Sequence, residues 1–249
     1  MNLPMRISVT SAKKISLIAL ALAALTPGAQ ASNKVSSPDI TQGQFELEYR
    51  GGYDIDNVAQ KDGQQVHRFV GNYGVLDRWR TEVKGILTEA GEGYDWTAIE
   101  WSHRFQLLKG KDEWPKLSVQ GNYKFALQDN KTDKIEFTIL ASKDMGSFGH
   151  VINLNFEREV GAHSVGGTNF NLGWKSKYRY RSEFEPGFEF YADFRKFGGP
   201  ATKGSKRHLL GPVAYGKIID GMKYEAGFLA GISDGAPDGR FKWILTYAF

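Results

Sequence analysis

The sequence predicts an all-β chain, a transmembrane antiparallel up-and-down β-barrel of about twelve strands behind a cleaved secretory signal. Three observations predict it. Apolar and polar residues alternate with period two along most of the chain, the pattern of strands with unlike faces. The mean hydropathy is −0.41, and no run of about 18–20 apolar residues exists, which excludes a helical membrane protein. Yet 33 of the 249 residues are aromatic (6 Trp, 11 Tyr, 16 Phe) and 41% are apolar, too many for a disordered chain. The absence of cysteine removes disulfides, thiolate catalysis and Cys-ligated metals.

Residues 1–31 read as the signal. Arg6, Lys13 and Lys14 make a positive start, Ile15 to Leu25 an apolar core, and Ala29-Gln30-Ala31 a small-residue cleavage site. This segment holds three of the 32 basic residues and none of the 28 acids. The formal charge of +4 therefore falls to about +1 for residues 32–249, and a nucleic-acid reading loses its support.

The strands follow in order, each with a charged face that its parity defines. Residues 44–53 alternate with Glu46, Glu48 and Arg50 on the polar face; 64–73 place Arg68 there and His67 opposite; 78–88 carry Arg80, Glu82 and Lys84. Residues 95–106 add Glu100 and Arg104, with His103 on the apolar face. Residues 116–128 alternate Leu117, Val119, Tyr123, Phe125 and Leu127 against Lys116, Ser118, Gln120, Asn122 and Lys124. Lys134 and Glu136 mark 134–142, and Glu157 and Glu159 mark 148–159. Residues 168–180 set Phe170, Leu172, Trp174, Tyr178 and Tyr180 against Lys175, Lys177 and Arg179. Glu189, Asp193 and Arg195 belong to 187–196, Lys217 to 207–218 with His208 opposite, and Lys223 and Glu225 to 222–232. The last strand, 240–249, alternates Phe241, Trp243, Leu245, Tyr247 and Phe249 against Arg240 and Lys242. Gly-, Asn-, Asp- and Pro-rich stretches separate them, with tight connections on alternate sides. The longest outer connection is expected to be about ten residues.

A soluble sandwich also alternates, and three features argue for a membrane barrel instead. Strands of about 9–13 residues match a tilted bilayer crossing better than the usual 5–6 of soluble sheets. Aromatics gather near strand ends on the apolar face: Tyr178, Tyr180, Phe241, Tyr247 and Phe249 are expected in interfacial girdles among the outer-membrane lipids. The opposite face is charged throughout, as a water-filled lumen tolerates and a dry core does not. Within hydrocarbon an open sheet edge leaves backbone groups unsatisfied, so the sheet must close.

The terminal Phe249, preceded by alternating Tyr247, Leu245, Trp243 and Phe241, resembles the C-terminal signature of bacterial outer-membrane proteins. The resemblance implies an outer-membrane location and recognition of Phe249 by the barrel-assembly machinery. Strand number and short loops resemble small twelve-stranded monomeric porins, such as the oligogalacturonate-specific ones, which implies a monomer and a solute channel.

The inward basic residues Arg50, Arg68, Arg80, Lys84, Lys124, Lys175, Lys177, Arg179, Arg195, Arg240 and Lys242, with Arg104, Lys116, Lys134, Lys217 and Lys223, outnumber the inward acids. Asp54, Asp56, Asp62, Glu89, Glu92, Asp129, Asp133, Asp234 and Asp238 are expected mainly in loops and turns. Lys175, Lys177 and Arg179, about 6.6 Å apart along one strand, form a candidate ladder for small polar or anionic solutes. The competing reading is that inward charges neutralise one another and fill the barrel. An outer-membrane hydrolase would need a His-activated nucleophile, with His67 and His208 near the outer rim as candidates beside a loop Asp. His163 beside Ser164 lies in a loop. A structural or adhesive barrel would project longer loops. No cofactor or metal is expected, because no two His share a face at ligand spacing and no Gly-rich stretch opens a helix.

Overall fold

The computed structural model describes residues 34–59, 62–90, 93–111, 114–129, 131–162, 164, 166–194 and 206–249. Its strands follow in chain order: β1 (Phe45–Ile55), β2 (Gln65–Leu76), β3 (Trp79–Ala90), β4 (Gly93–Lys111), β5 (Trp114–Ala126), β6 (Asp133–Met145), β7 (Phe148–Val160), β8 (Asn169–Tyr178), β9 (Glu185–Asp193), β10 (Arg207–Ile219), β11 (Met222–Gly231) and β12 (Gly239–Ala248). Each pairs antiparallel with its neighbours in sequence, and β12 returns to β1, from Glu46 opposite Ala248 to Ile55 opposite Gly239. The sheet is closed, and the described residues contain no helix.

Two-fold alternation fixes which side chain faces which medium, and the outcome is inverted relative to a soluble domain. Outward residues such as Phe69, Val83, Trp101, Phe105 and Phe137 are about half exposed, whereas Ser118, Glu189, Arg240 and Lys242 are buried inside. Soluble monomers do not display apolar surface on this scale, and they almost never bury so many charges. The rings cluster at two levels. Phe45, Phe249 and Tyr247 touch at one end, where Phe148 and Tyr178 form a separate pair across the barrel. Phe156, Phe170 and Phe194 form a row at the other, with Phe228 against Phe241.

Boundaries depart from the alternation where a bulge breaks it. Beyond Gln106 the register of β4 on β5 slips, leaving Leu107 and Leu108 both outward, and pairing continues to Lys111 opposite Trp114. β4 is therefore 19 residues long, longer than the alternation over 95–106 implies. β9 ends at Asp193, earlier than the alternation over 187–196 implies, and β10 begins at Arg207; residues 195–205 between them lie outside the described residues. On the tight-turn side Gly146 (φ 58°) and Gly221 (φ 78°) supply the left-handed backbone that two-residue hairpin turns need. Gly51 serves a different purpose: a Cβ there would lie 2.2 Å from the Trp243 ring, which lies flat across the neighbouring strand.

Candidate functional site

The candidate site is the barrel interior, built from every second residue of each strand. Arg50, Arg68, Arg80, Lys84, Lys124, Lys175, Lys177, Arg240 and Lys242 all lie at inward register positions, and Arg179 follows the end of β8 at the turn rim. Arg195 lies outside the described residues. Alternation also missed members. Arg207 opposes Asp193 on the inward face, and Asp144 and Glu185 turn inward at the turn end, where they meet Arg179 and Lys177. Asp54 is not a loop residue as expected; it lies in β1, one residue before its end, and accepts from Arg240 Nε at 2.5 Å and Nη2 at 2.7 Å. With three acids added against one base, the interior is less basic than sequence parity suggests.

Charge is sorted by sector. On β1–β4, Arg50 stands directly opposite Arg68 and Arg80 opposite Arg104. Like charges facing each other repel, and interleaved carboxylates offset this: Arg50 bonds Glu48, Arg80 lies 3.4 Å from both Glu46 and Glu82, and Lys84 donates to Glu100 at 2.5 Å. On β5–β8 the wall is amide-rich. Arg104 Nε donates to Gln120 at 2.7 Å, and Gln120 in turn to Asn122 at 2.8 Å. Asn153, Asn155 and Asn171 continue this wall. Counting charges alone overlooks these neutral groups, although their parity is plain.

The sector of β9–β12 is packed rather than open. Lys242 Nζ donates to Glu189 Oε2 at 2.5 Å, and the hydroxyls of Tyr191 and Tyr215 donate to the same carboxylate at 2.6 and 2.8 Å. Both charges are wholly buried, so each depends on these partners. The candidate ladder is also neutralised. Lys175 Nζ lies 3.7 Å from Glu225, Lys177 pairs with Glu185, and Arg179 meets Asp144 at 2.5 Å. Lys175 and Lys177 further approach the Tyr215 ring at 5.3 and 5.8 Å. Outside the spanning region, hydrogen bonds from Lys109 and Lys217 hold Asp77 and Asp220 below the usual carboxylate range.

Residues 34–44 are not part of the barrel wall. Gly43 and Gln44 bond Gly74 at the turn end of β2, and from there the chain runs inward. Asp39 pairs with Lys116 at 2.7 Å, the Pro38 carbonyl accepts from Ser118 at 2.6 Å, and the Ser37 carbonyl accepts from Arg104 Nη1 at 2.6 Å. Ser36 makes two bonds with the Asn153 amide, at 2.7 and 2.9 Å. Val35 is fully buried among Val151, Tyr191, Leu209, Val213 and Leu229, and Lys34 reaches Glu48. The segment thus crosses the lumen from the β5 wall to the β1 wall. The sequence offered little sign of it, since VSSPD carries no alternation. Lys34 and Ser36 line both a cavity of about 300 Å³ toward the loop end and one of about 540 Å³ toward the turn end.

The histidine candidates do not converge. His67 and His208 are on outward faces of β2 and β10, four strand spacings or about 19 Å apart around the wall. His67 Nδ1 shares a 2.8 Å hydrogen bond with the Tyr49 hydroxyl, and His208 lies against Phe190 and Phe194. His163 lies outside the described residues. Among the described residues no three His, Asp or Glu side chains gather as a metal site.

No family model and no curated protein matches the chain. Among solved structures, an outer-membrane channel from Pseudomonas putida F1 superposes with a TM-score of 0.62 at 10% identity, over 88% of this chain and all of that one. The fold is that of an outer-membrane barrel. The outer-membrane protein Omp33 of Acinetobacter baumannii is more distant, with a TM-score of 0.45 at 11% identity over 84% of this chain and 99% of that one.

Proposed function

We propose that this chain is a bacterial outer-membrane channel for passive diffusion of small polar solutes, with a preference for anions. In this reading it acts as a monomer, residues 1–31 are removed on export, and Phe249 addresses the chain to the barrel-assembly machinery. The observation that carries the reading is the lumen: a closed barrel whose interior is lined by guanidiniums, ammoniums, amides and a smaller number of carboxylates around cavities of about 300 to 540 Å³. A barrel of eight strands is filled by its side chains, and twelve strands leave room for water. The anion preference rests on Arg104, a cation at the cavity wall whose hydrogen-bond partners among the described residues are neutral, an amide oxygen and a backbone carbonyl. Lys124 lines the same cavity opposite Glu100. The separation of His67 from His208 speaks against a hydrolase that uses both. Liposome swelling tests the reading: proteoliposomes swell in small neutral and anionic solutes faster than in cationic solutes of the same size. Swelling no faster than in protein-free liposomes would refute the channel.

A further inference from the structure

Residues 34–39 have two properties that a mere leader to β1 lacks. They are seated by specific contacts on all three sectors of the wall, and they partition the interior. Val35 fills an apolar socket inside an otherwise polar lumen, and the backbone of residues 36–38 is bonded by side chains from three different strands. Lys34 and Ser36 border the cavities on both sides, and Arg104 does as well. Ser37 and Asp39 in turn separate two turn-side cavities from each other. Withdrawal of this one segment would merge the spaces that it divides.

Arg104 is the contact that an incoming solute can contest. Its Nε is held by Gln120 and its Nη1 by the Ser37 carbonyl, and among the described residues no carboxylate is in hydrogen-bond contact with it. A guanidinium binds an oxyanion through two parallel, charge-assisted hydrogen bonds, which are stronger than one bond to a neutral carbonyl. We propose that residues 34–39 are a plug seated in the closed channel, that Arg104 is its latch, and that an oxyanion entering from the loop end takes the Arg104 guanidinium from Ser37 and releases the plug. The proposal rests on the channel reading above and adds its regulation.

The chain has no cysteine, so a single engineered disulfide can hold the plug. Val35 Cγ2 lies 3.2 Å from the position of a Cβ at Gly173, within bonding reach of sulfurs placed at both sites. The double variant V35C/G173C, refolded and checked for heat-modifiable gel mobility, is studied in planar bilayers before and after reduction. Oxidation is expected to lower open probability at least tenfold, and dithiothreitol to restore it. In the reduced protein, replacing chloride with sulfate on the loop side at equal ionic strength raises open probability several-fold. In Arg104→Gln the channel is more open in chloride and sulfate has no further effect. Failure of the disulfide to form in the folded barrel, or equal conductance when oxidised and reduced, overturns the plug. A sulfate response that survives Arg104→Gln overturns the latch. A chain lacking residues 34–39 separates the two readings: if it folds and still does not conduct, the channel reading fails, whereas conduction that matches the oxidised barrel refutes the plug alone.

Discussion

Replacing Lys242 by Met tests the packed sector of the lumen. The Lys242 ammonium is fully buried, donates to Glu189 at 2.5 Å and to the Tyr191 hydroxyl at 3.2 Å, and lies 3.7 Å from Glu225. The substitution keeps most of the side-chain volume and leaves Glu189 with two tyrosine donors and no hydrogen-bonded cation, since Lys175 opposite it on β8 is turned toward Glu225. Breaking a buried pair by removing one partner costs about 3–5 kcal/mol, because the other charge stays buried. At about 2–3 kcal/mol per molar urea, the unfolding midpoint falls by roughly 1–2.5 M. The assay is urea unfolding of the barrel in lipid vesicles, followed by tryptophan fluorescence. Lys242→Met with Glu189→Gln removes both charges and costs less than Lys242→Met alone. Lys217→Met, whose partner Asp220 is solvated on a turn, leaves the midpoint where it is. Equal effects of Lys242→Met and Lys217→Met, or a double variant as unstable as the sum of its singles, would refute the account of a buried, coupled pair.

Other substitutions test the remaining parts of the structure. Val83 faces outward at mid-strand and is half exposed, so Val83→Arg destabilises the barrel by about 2–4 kcal/mol, while the inward Asn155→Arg leaves the urea midpoint nearly unchanged; the reverse ranking would contradict the assignment of faces. Gly51→Val drives a methyl-bearing carbon into the Trp243 ring 2.2 Å away and costs about 1–3 kcal/mol, a loss that Trp243→Ala in the same chain partly relieves. Phe249 closes the seam through its N–H to the Phe45 carbonyl at 2.9 Å and its ring contacts with Phe45 and Tyr247. Phe249→Ala slows membrane assembly in cells more than it slows refolding into pure lipid, as pulse-labelled gel mobility reads directly; equal slowing in both would remove the proposed role in assembly.

Most of the wall was legible because a barrel strand faces two unlike media and must encode both in alternate residues. The parity of Arg50, Lys84, Lys175 and Lys242 could be read without coordinates. Parity failed where the backbone breaks period, at the bulge after Gln106, and at strand ends, where Asp54 passes for a loop residue until Arg240 is seen opposite. Pairing across the lumen was not legible at all. Glu189 meets Lys242 through a fold-back of 53 residues, and no local pattern reports such a distance. The interior segment was hidden for a related reason. Val35 is apolar and Ser36, Ser37 and Asp39 are polar, an ordinary composition for a leader, and only the socket on β7–β11 gives Val35 its place.

In the proposed reading a solvated, net basic lumen conducts small solutes and favours anions. The most direct measurement is the reversal potential of the purified barrel in a planar bilayer under a potassium chloride gradient. Discrete conductance is expected, with a reversal potential of the sign set by chloride. Cation-selective conductance would contradict the anion preference, and no conductance, with or without residues 34–39, would contradict the channel itself.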